Sequence, residues 1–194
     1  MADGASASLP PWPTVPACYG WLSLDARGRW RLKGETISHP GLIAFLNAHY
    51  THDAEGRWLV NNGPQRVYVA LESAPWVLRL QPDSSFVTHT GRSVTATCPL
   101  LLDAEGRLFL ATDAGPAALD DRDLAMLLAE VLDPAGGTAG EEALSALMSG
   151  ASTPDAAAPR LQWKGLELQA LAAADQQTAA ARLGFIRDPQ PESA

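Results

Sequence analysis

The chain has 194 residues, 46% of them hydrophobic, and carries 14 Lys and Arg against 22 Asp and Glu, a net charge of −8. That length and apolar content suit one ordinary domain or two small ones with a real core. The acidic balance works against a broad basic surface for nucleic acid, and no apolar run is long enough to span a bilayer. Neither nucleic acid nor membrane is therefore an expected partner.

The charge is unevenly spread. Residues before Cys98 hold eight Lys and Arg against seven Asp and Glu, and the remainder holds six against fifteen. The N-terminus has neither a charged n-region nor an apolar h-region, so the expected setting is cytoplasmic, with Cys18 and Cys98 as free thiols.

In chain order, residues 1–17 are rich in Ala, Ser and Pro and read as a flexible arm on which Trp12 could dock. Tyr19 to Lys33 reads as a hairpin around Asp25-Ala26-Arg27-Gly28-Arg29. Its outgoing strand sets Trp30 and Leu32 on one face and Arg29, Arg31 and Lys33 on the other. A helix follows, with Ser38 as N-cap, Pro40 in the first turn, and Leu42, Ile43, Phe45 and Leu46 as its buried stripe, running on through Asn47, His49 and Tyr50. Asp53-Ala54-Glu55-Gly56-Arg57 repeats the turn phrase. Strands are expected at Arg57–Asn62, Val67–Leu71, Trp76–Leu80, Phe86–Thr88 and Val94–Thr97, in a mostly antiparallel sheet.

A third copy of the phrase, Asp103-Ala104-Glu105-Gly106-Arg107, sits in a hairpin from Pro99 to Thr112. In each copy Asp bonds nearby amides and Gly supplies a positive φ. Asp113 to Pro116 reads as a loop. Asp120 caps a helix through Leu132, with Leu124, Leu127, Leu128 and Val131 as core. A Gly-rich loop, a helix over Glu141–Met148, a low-complexity stretch over Ala151–Pro159, a hairpin over Leu161–Leu171 and a last helix from Asp175 to Leu183 complete the chain before a frayed tail.

The recurring phrase at uneven spacing indicates a duplicated unit rather than a solenoid. The expected fold is α+β: two related units, each an antiparallel β-sheet with a packed helix. They span residues 18–97 and 98–188, the second with a mobile insert at about 133–159, flanked by the arm and the 189–194 tail.

The blocks Gly28-Arg29-Trp30, Leu42-Ile43-x-Phe45, Gly56-x-Trp58-Leu59-Val60, Val67-x-Val69, Ala74-Pro75-Trp76-Val77 and Phe86-x-Thr88-x-x-Gly91 resemble, in order, an uncharacterised bacterial family, domain of unknown function 1285. The resemblance covers residues 19 to about 110. It implies two α+β repeats, a nucleotide-like ligand at their junction and a signalling role. Two positions depart from the family pattern: Thr88-His89-Thr90-Gly91-Arg92, and Ser38-His39-Pro40.

Candidate chemistry is sparse. His49, His52 and Asp53 lack a third ligand at metal spacing, so no metal is expected. Glu35, Glu55 and Glu72 are not paired by spacing, no nucleophile motif is present, and no enzyme or cofactor is expected. Thr88, His89 and Arg92, with Arg66, are the candidate ligand-binding residues: amides around a Gly, hydroxyls and guanidinium forks can hold a small anion. Trp30, Trp58, Trp76 and Trp163 read as core. The functional reading is a non-enzymatic regulatory protein binding a small anionic or nucleotide-like ligand between two units. The alternative is a protein-interaction module with no small ligand.

Overall fold

A computed structural model describes residues 15–97, 99–150, 160–171 and 176–191. The docking of Trp12, the Cys98 thiol, the 151–159 stretch, the Asp175 cap and the last three residues lie outside the described residues.

The architecture is mixed α+β, dominated by two sheets. The first is built from β1 (Ala17–Leu24), β2 (Trp30–Leu32), β3 (Glu35–Thr36), β4 (Tyr50–His52), β5 (Trp58–Asn62) and β6 (Gln65–Leu71), with helix α1 (Pro40–His49) between β3 and β4. The second contains β7 (Trp76–Leu80), β8 (Phe86–Thr88), β9 (Ser93–Val94), β10 (Leu100–Leu102), β11 (Leu108–Thr112), β12 (Gly115–Leu119), β13 (Leu161–Trp163) and β14 (Leu166–Ala170). Helices α2 (Leu124–Leu128), α3 (Glu141–Gly150) and α4 (Gln176–Leu183) belong to the later half.

The strand order is β3-β2-β1-β6-β5-β4 in the first sheet. In the second it is β9-β8-β7-β12-β11-β10, extended by β14 and β13. Six strands of each sheet thus follow the same path. Each is closed by a parallel pair, β1 with β6 and β7 with β12, and β10 with β14 is parallel too. The sheets are mostly antiparallel, as expected, with these parallel pairs making each of them mixed. The chain crosses between them at Glu72–Pro75, so β9 and β10, on either side of residue 98, lie in one sheet.

The turn phrase works as the sequence indicates. In all three copies the Asp amide donates to the Arg carbonyl, the Gly amide donates to the Asp carbonyl, and Arg Nε meets the Asp carboxylate at 2.7 Å. The same two backbone bonds recur at Gln81–Ser85, Thr88–Arg92 and Asp133–Gly137, which keep only parts of the phrase: Gly91-Arg92 in one, Asp133 and Gly136 in another, neither in the third. What the six turns share is a positive φ at the fourth position, filled by Gly in five and by Ser84 in one.

Several local expectations change. His39, not Ser38, caps α1, its Nδ1 accepting from the Leu42 amide at 3.2 Å. Leu46 alone of the α1 stripe is buried, while Leu42, Ile43 and Phe45 are half-buried. Tyr50 starts β4 instead of ending the helix. The stretch read as a loop at Gly115-Pro116 opens β12, a central strand. Its alanines have weak strand propensity, and Pro116 is tolerated because β7 pairs only from Ala117 onward. Helix α2 stops at Leu128, preceded by a 3-10 turn at Asp121–Asp123 that Asp120 caps. Arg79 grips Asp123 with both fork nitrogens, 2.6 and 3.0 Å, and the Leu80 amide donates to the same carboxylate. The four strand tryptophans are all buried.

Candidate functional site

The two sheets meet over an aromatic cluster. Tyr50 is central, with ring centroids 5.0 Å from Trp30, 4.8 Å from Trp58 and 5.3 Å from Trp76. Three of the polar tips are paired: Trp30 Nε1 donates to Asn47, Trp76 Nε1 to the Ala114 carbonyl and the Tyr50 hydroxyl to the Pro75 carbonyl. Such pairing is what lets Trp and Tyr sit in a core.

His89 closes this cluster. Its ring lies 5.6 Å from Trp76, 6.0 Å from Trp30 and 6.1 Å from Tyr50. Nδ1 accepts from the Val77 amide at 3.3 Å, which places the proton of the neutral ring on Nε2, and Nε2 is buried without a hydrogen-bond partner. Burial pulls the His89 pKa down to about 4 from 6.5, with the Asp25 carboxylate opposing. The first Asp turn docks directly upon it, for a Cβ at Gly28 would stand 2.3 Å from the His89 Cβ.

The other expected ligand residues divide. Thr88 and Arg92 frame the same hairpin turn as His89. Thr88 is buried, its Oγ1 2.9 Å from the Thr90 Oγ1 and accepting from the Arg92 amide, so the turn's own bonds occupy that hydroxyl. The Arg92 side chain is exposed. Arg66 stands apart at the start of β6, six residues before Glu72, whose carboxylate meets the first Asp turn. At about 3.3 Å per residue that is about 20 Å along the strand. The structure brings Thr88, His89 and Arg92 into one turn and does not bring Arg66 to them.

The expected cationic stripe is largely paired. Arg29 and Arg31 both reach Asp25, and Lys33 lies 4.1 Å over the Trp21 ring. Burial acts to raise the Asp25 carboxyl, but the Arg29 and Arg27 amides and the Arg29 fork outweigh it and hold its pKa below the ordinary value. His49 Nδ1 meets the Phe45 carbonyl, and Asp53 is held by Arg57. Among the described residues no group of His, Cys, Asp and Glu is placed to hold a metal.

The sequence reading gave Phe185 to Asp188 no role, and the structure does. Gly184, at φ 74°, ends α4 and turns the chain toward the first sheet. The Ile186 amide donates to the Gly56 carbonyl at 2.9 Å and the Leu71 amide to the Arg187 carbonyl at 2.7 Å. The Arg187 guanidinium donates to the Leu71 and Glu72 carbonyls. Helix α4 packs on β11 of the second sheet. Between these parts lies a cavity of about 550 Å³ lined by Leu71, Ala180, Ala181, Phe185, Ile186, Arg187 and Asp188. Burial, then the nearby charge of Arg107, lowers the Arg187 pKa, with Glu72 opposing. Only the Gly after a short Ala-rich helix hinted at this return of the chain.

Fold and site together define a two-sheet α+β protein with an open groove along the seam and, among the described residues, no helix long and apolar enough to cross a membrane. The model of the family DUF2944, described as a protein of unknown function (DUF2946), matches residues 1–190, and the chain belongs to that family. No curated protein matches the chain. It is similar to the crystal structure of a DUF1285 family protein from Silicibacter pomeroyi DSS-3, at 18% identity and a TM-score of 0.47, over 59% of this chain and 70% of that one. It is also similar to a DUF1285 family protein from Shewanella baltica OS155, at 19% identity and a TM-score of 0.40, over 54% of this chain and 87% of that one.

Proposed function

We propose that the protein is a non-enzymatic binding protein that takes a small anionic ligand in the seam groove, in a regulatory role. One observation carries this: the groove's walls come from both halves, Leu71 from the first sheet and α4 from the element packed on the second. Its volume of about 550 Å³ falls in the range of small-molecule sites. The groove's lining offers one guanidinium, that of Arg187, which is also bonded to the Leu71 and Glu72 carbonyls and is the group an anion would meet, with Asp188 as the neighbouring carboxylate.

The shared strand path supports two related units, with bounds at 17–71 and 76–119 in place of 18–97 and 98–188, the second unit lacking a counterpart of α1. A reducing, cytoplasmic setting fits the buried, unbridged thiol of Cys18. The net charge of −8 argues for a small partner over nucleic acid.

The test is a thermal-shift screen of nucleotides, dinucleotides and simple anions, since ligand at about 100 times its Kd stabilises by about 2.7 kcal/mol. Ala181→Phe fills the groove without removing a polar contact, and Arg92→Ala disarms the Thr88–Arg92 turn. A shift lost only in Ala181→Phe places the site in the groove, and one lost only in Arg92→Ala moves it to the turn. A flat screen at millimolar ligand overturns the reading in favour of an interaction module.

A further inference from the structure

We propose that residues 184–188 form a detachable clasp, and that closing the clasp and filling the seam groove are one coupled equilibrium. The inference rests on the groove being a ligand site. Four of its seven lining residues, Phe185 to Asp188, belong to the clasp, so an undocked clasp leaves little groove. A ligand seated there touches the clasp and Leu71 together and must stabilise their contact by mass action.

The clasp is built to open alone. It follows a left-handed Gly184, has one buried anchor in Phe185, and leaves Ile186 39% exposed. Its backbone bonds to the first sheet end on the Gly56 carbonyl and the Leu71 amide, and the Arg187 guanidinium adds bonds to the Leu71 and Glu72 carbonyls. Few buried contacts and a short run of bonds mark a segment that opens at lower free energy than the core. Leu71 is an internal reporter, because its amide bonds the clasp while Val69, two residues earlier on the same strand, is fully buried.

The second and third Asp turns supply a matched pair of perturbations. Gly56 and Gly106 occupy the same turn position at φ 79° and 76°. A Cβ on Gly56 would lie 2.5 Å from the Gly184 carbonyl oxygen and 3.3 Å from the Phe185 Cα, whereas a Cβ on Gly106 meets no described atom within 4 Å. Both alanines strain their turn, and only Gly56→Ala evicts the clasp.

The experiment is hydrogen exchange on the full chain, wild type, Gly56→Ala and Gly106→Ala, with and without 8-anilinonaphthalene-1-sulfonate as an apolar anionic probe. In Gly56→Ala the Leu71 and Ile186 amides should exchange at least tenfold faster while Val69 stays slow, and probe affinity should fall at least tenfold. Gly106→Ala should leave both readouts unchanged, and the probe should slow Leu71 and Ile186 in wild type. If Leu71 and Ile186 exchange only together with Val69, the clasp does not open separately and the proposal fails. If they are freed but probe affinity is unchanged, the coupling fails and the groove reading stands. If wild type binds no probe, the groove reading fails and takes the coupling with it, whatever the clasp amides do.

Discussion

Acid should loosen this fold through His89 before it reaches the carboxylates. The neutral ring accepts from the Val77 amide and buries Nε2 among Trp30, Tyr50 and Trp76, so the folded state resists protonation down to about pH 4. The unfolded chain takes up that proton near 6.5. Between those values the unfolded state binds more protons, so stability falls as pH falls, at up to about 1.4 kcal/mol per pH unit. The window is about 2.5 units wide, giving a loss of about 3 kcal/mol by pH 4. Asp25, Asp53 and Asp120 have lowered pKa values, Asp120 to about 2. Their stabilising effect is present above their unfolded values near 3.8 and is lost only as pH falls below that, outside the His89 window. Urea unfolding at half-unit steps from pH 7.5 to 4, on wild type and His89→Gln, isolates the effect. The wild-type curve should drop about 3 kcal/mol more than the variant's over that span. Parallel curves would refute the assignment of the acid sensitivity to this ring.

Two further substitutions read the same architecture. Gly28→Ala drives a Cβ to 2.3 Å from the His89 Cβ, so it should destabilise by several kcal/mol, against about 1 kcal/mol for Gly106→Ala, which meets only its own positive φ; thermal denaturation of the pair decides. Asp123→Ala removes a buried carboxylate that accepts from Arg79 and the Leu80 amide, and it should cost about 2 to 4 kcal/mol in chemical denaturation, most of it from the stranded amide.

Much of the strand pattern was legible. Trp76–Leu80 and Phe86–Thr88 have their expected bounds because short apolar runs between turn formers leave little choice. The Asp turns were legible because one short phrase contains the whole device, acceptor, left-handed Gly and Arg. The three equivalent turns at Gln81, Thr88 and Asp133 were not legible as equivalents, because each has at most part of the phrase and Ser84 stands where the others have Gly. Parallel pairing was also hidden: nothing in β1 alone says that its partner is β6 rather than another hairpin strand. At the site, His89 stood out by residue type, but its role as a neutral seam residue depends on Trp30 and Tyr50, which arrive from distant parts of the chain. The groove was invisible for the same reason, since Leu71 and Phe185 become neighbours only after both sheets have formed.

The parallel closure of each sheet also sets an order in time. β1 cannot complete its pairing until β6 exists, and such long-range contacts slow folding because the loop between them must be closed first. Yet every strand of the first sheet is encoded by residue 71, whereas the second sheet waits for β14, which ends at Ala170. On a growing chain the first sheet can therefore finish while the second is still being synthesised. The segment Gly184 to Asp188 follows β14 in the chain, so the clasp closes only after the strands of both sheets have been made.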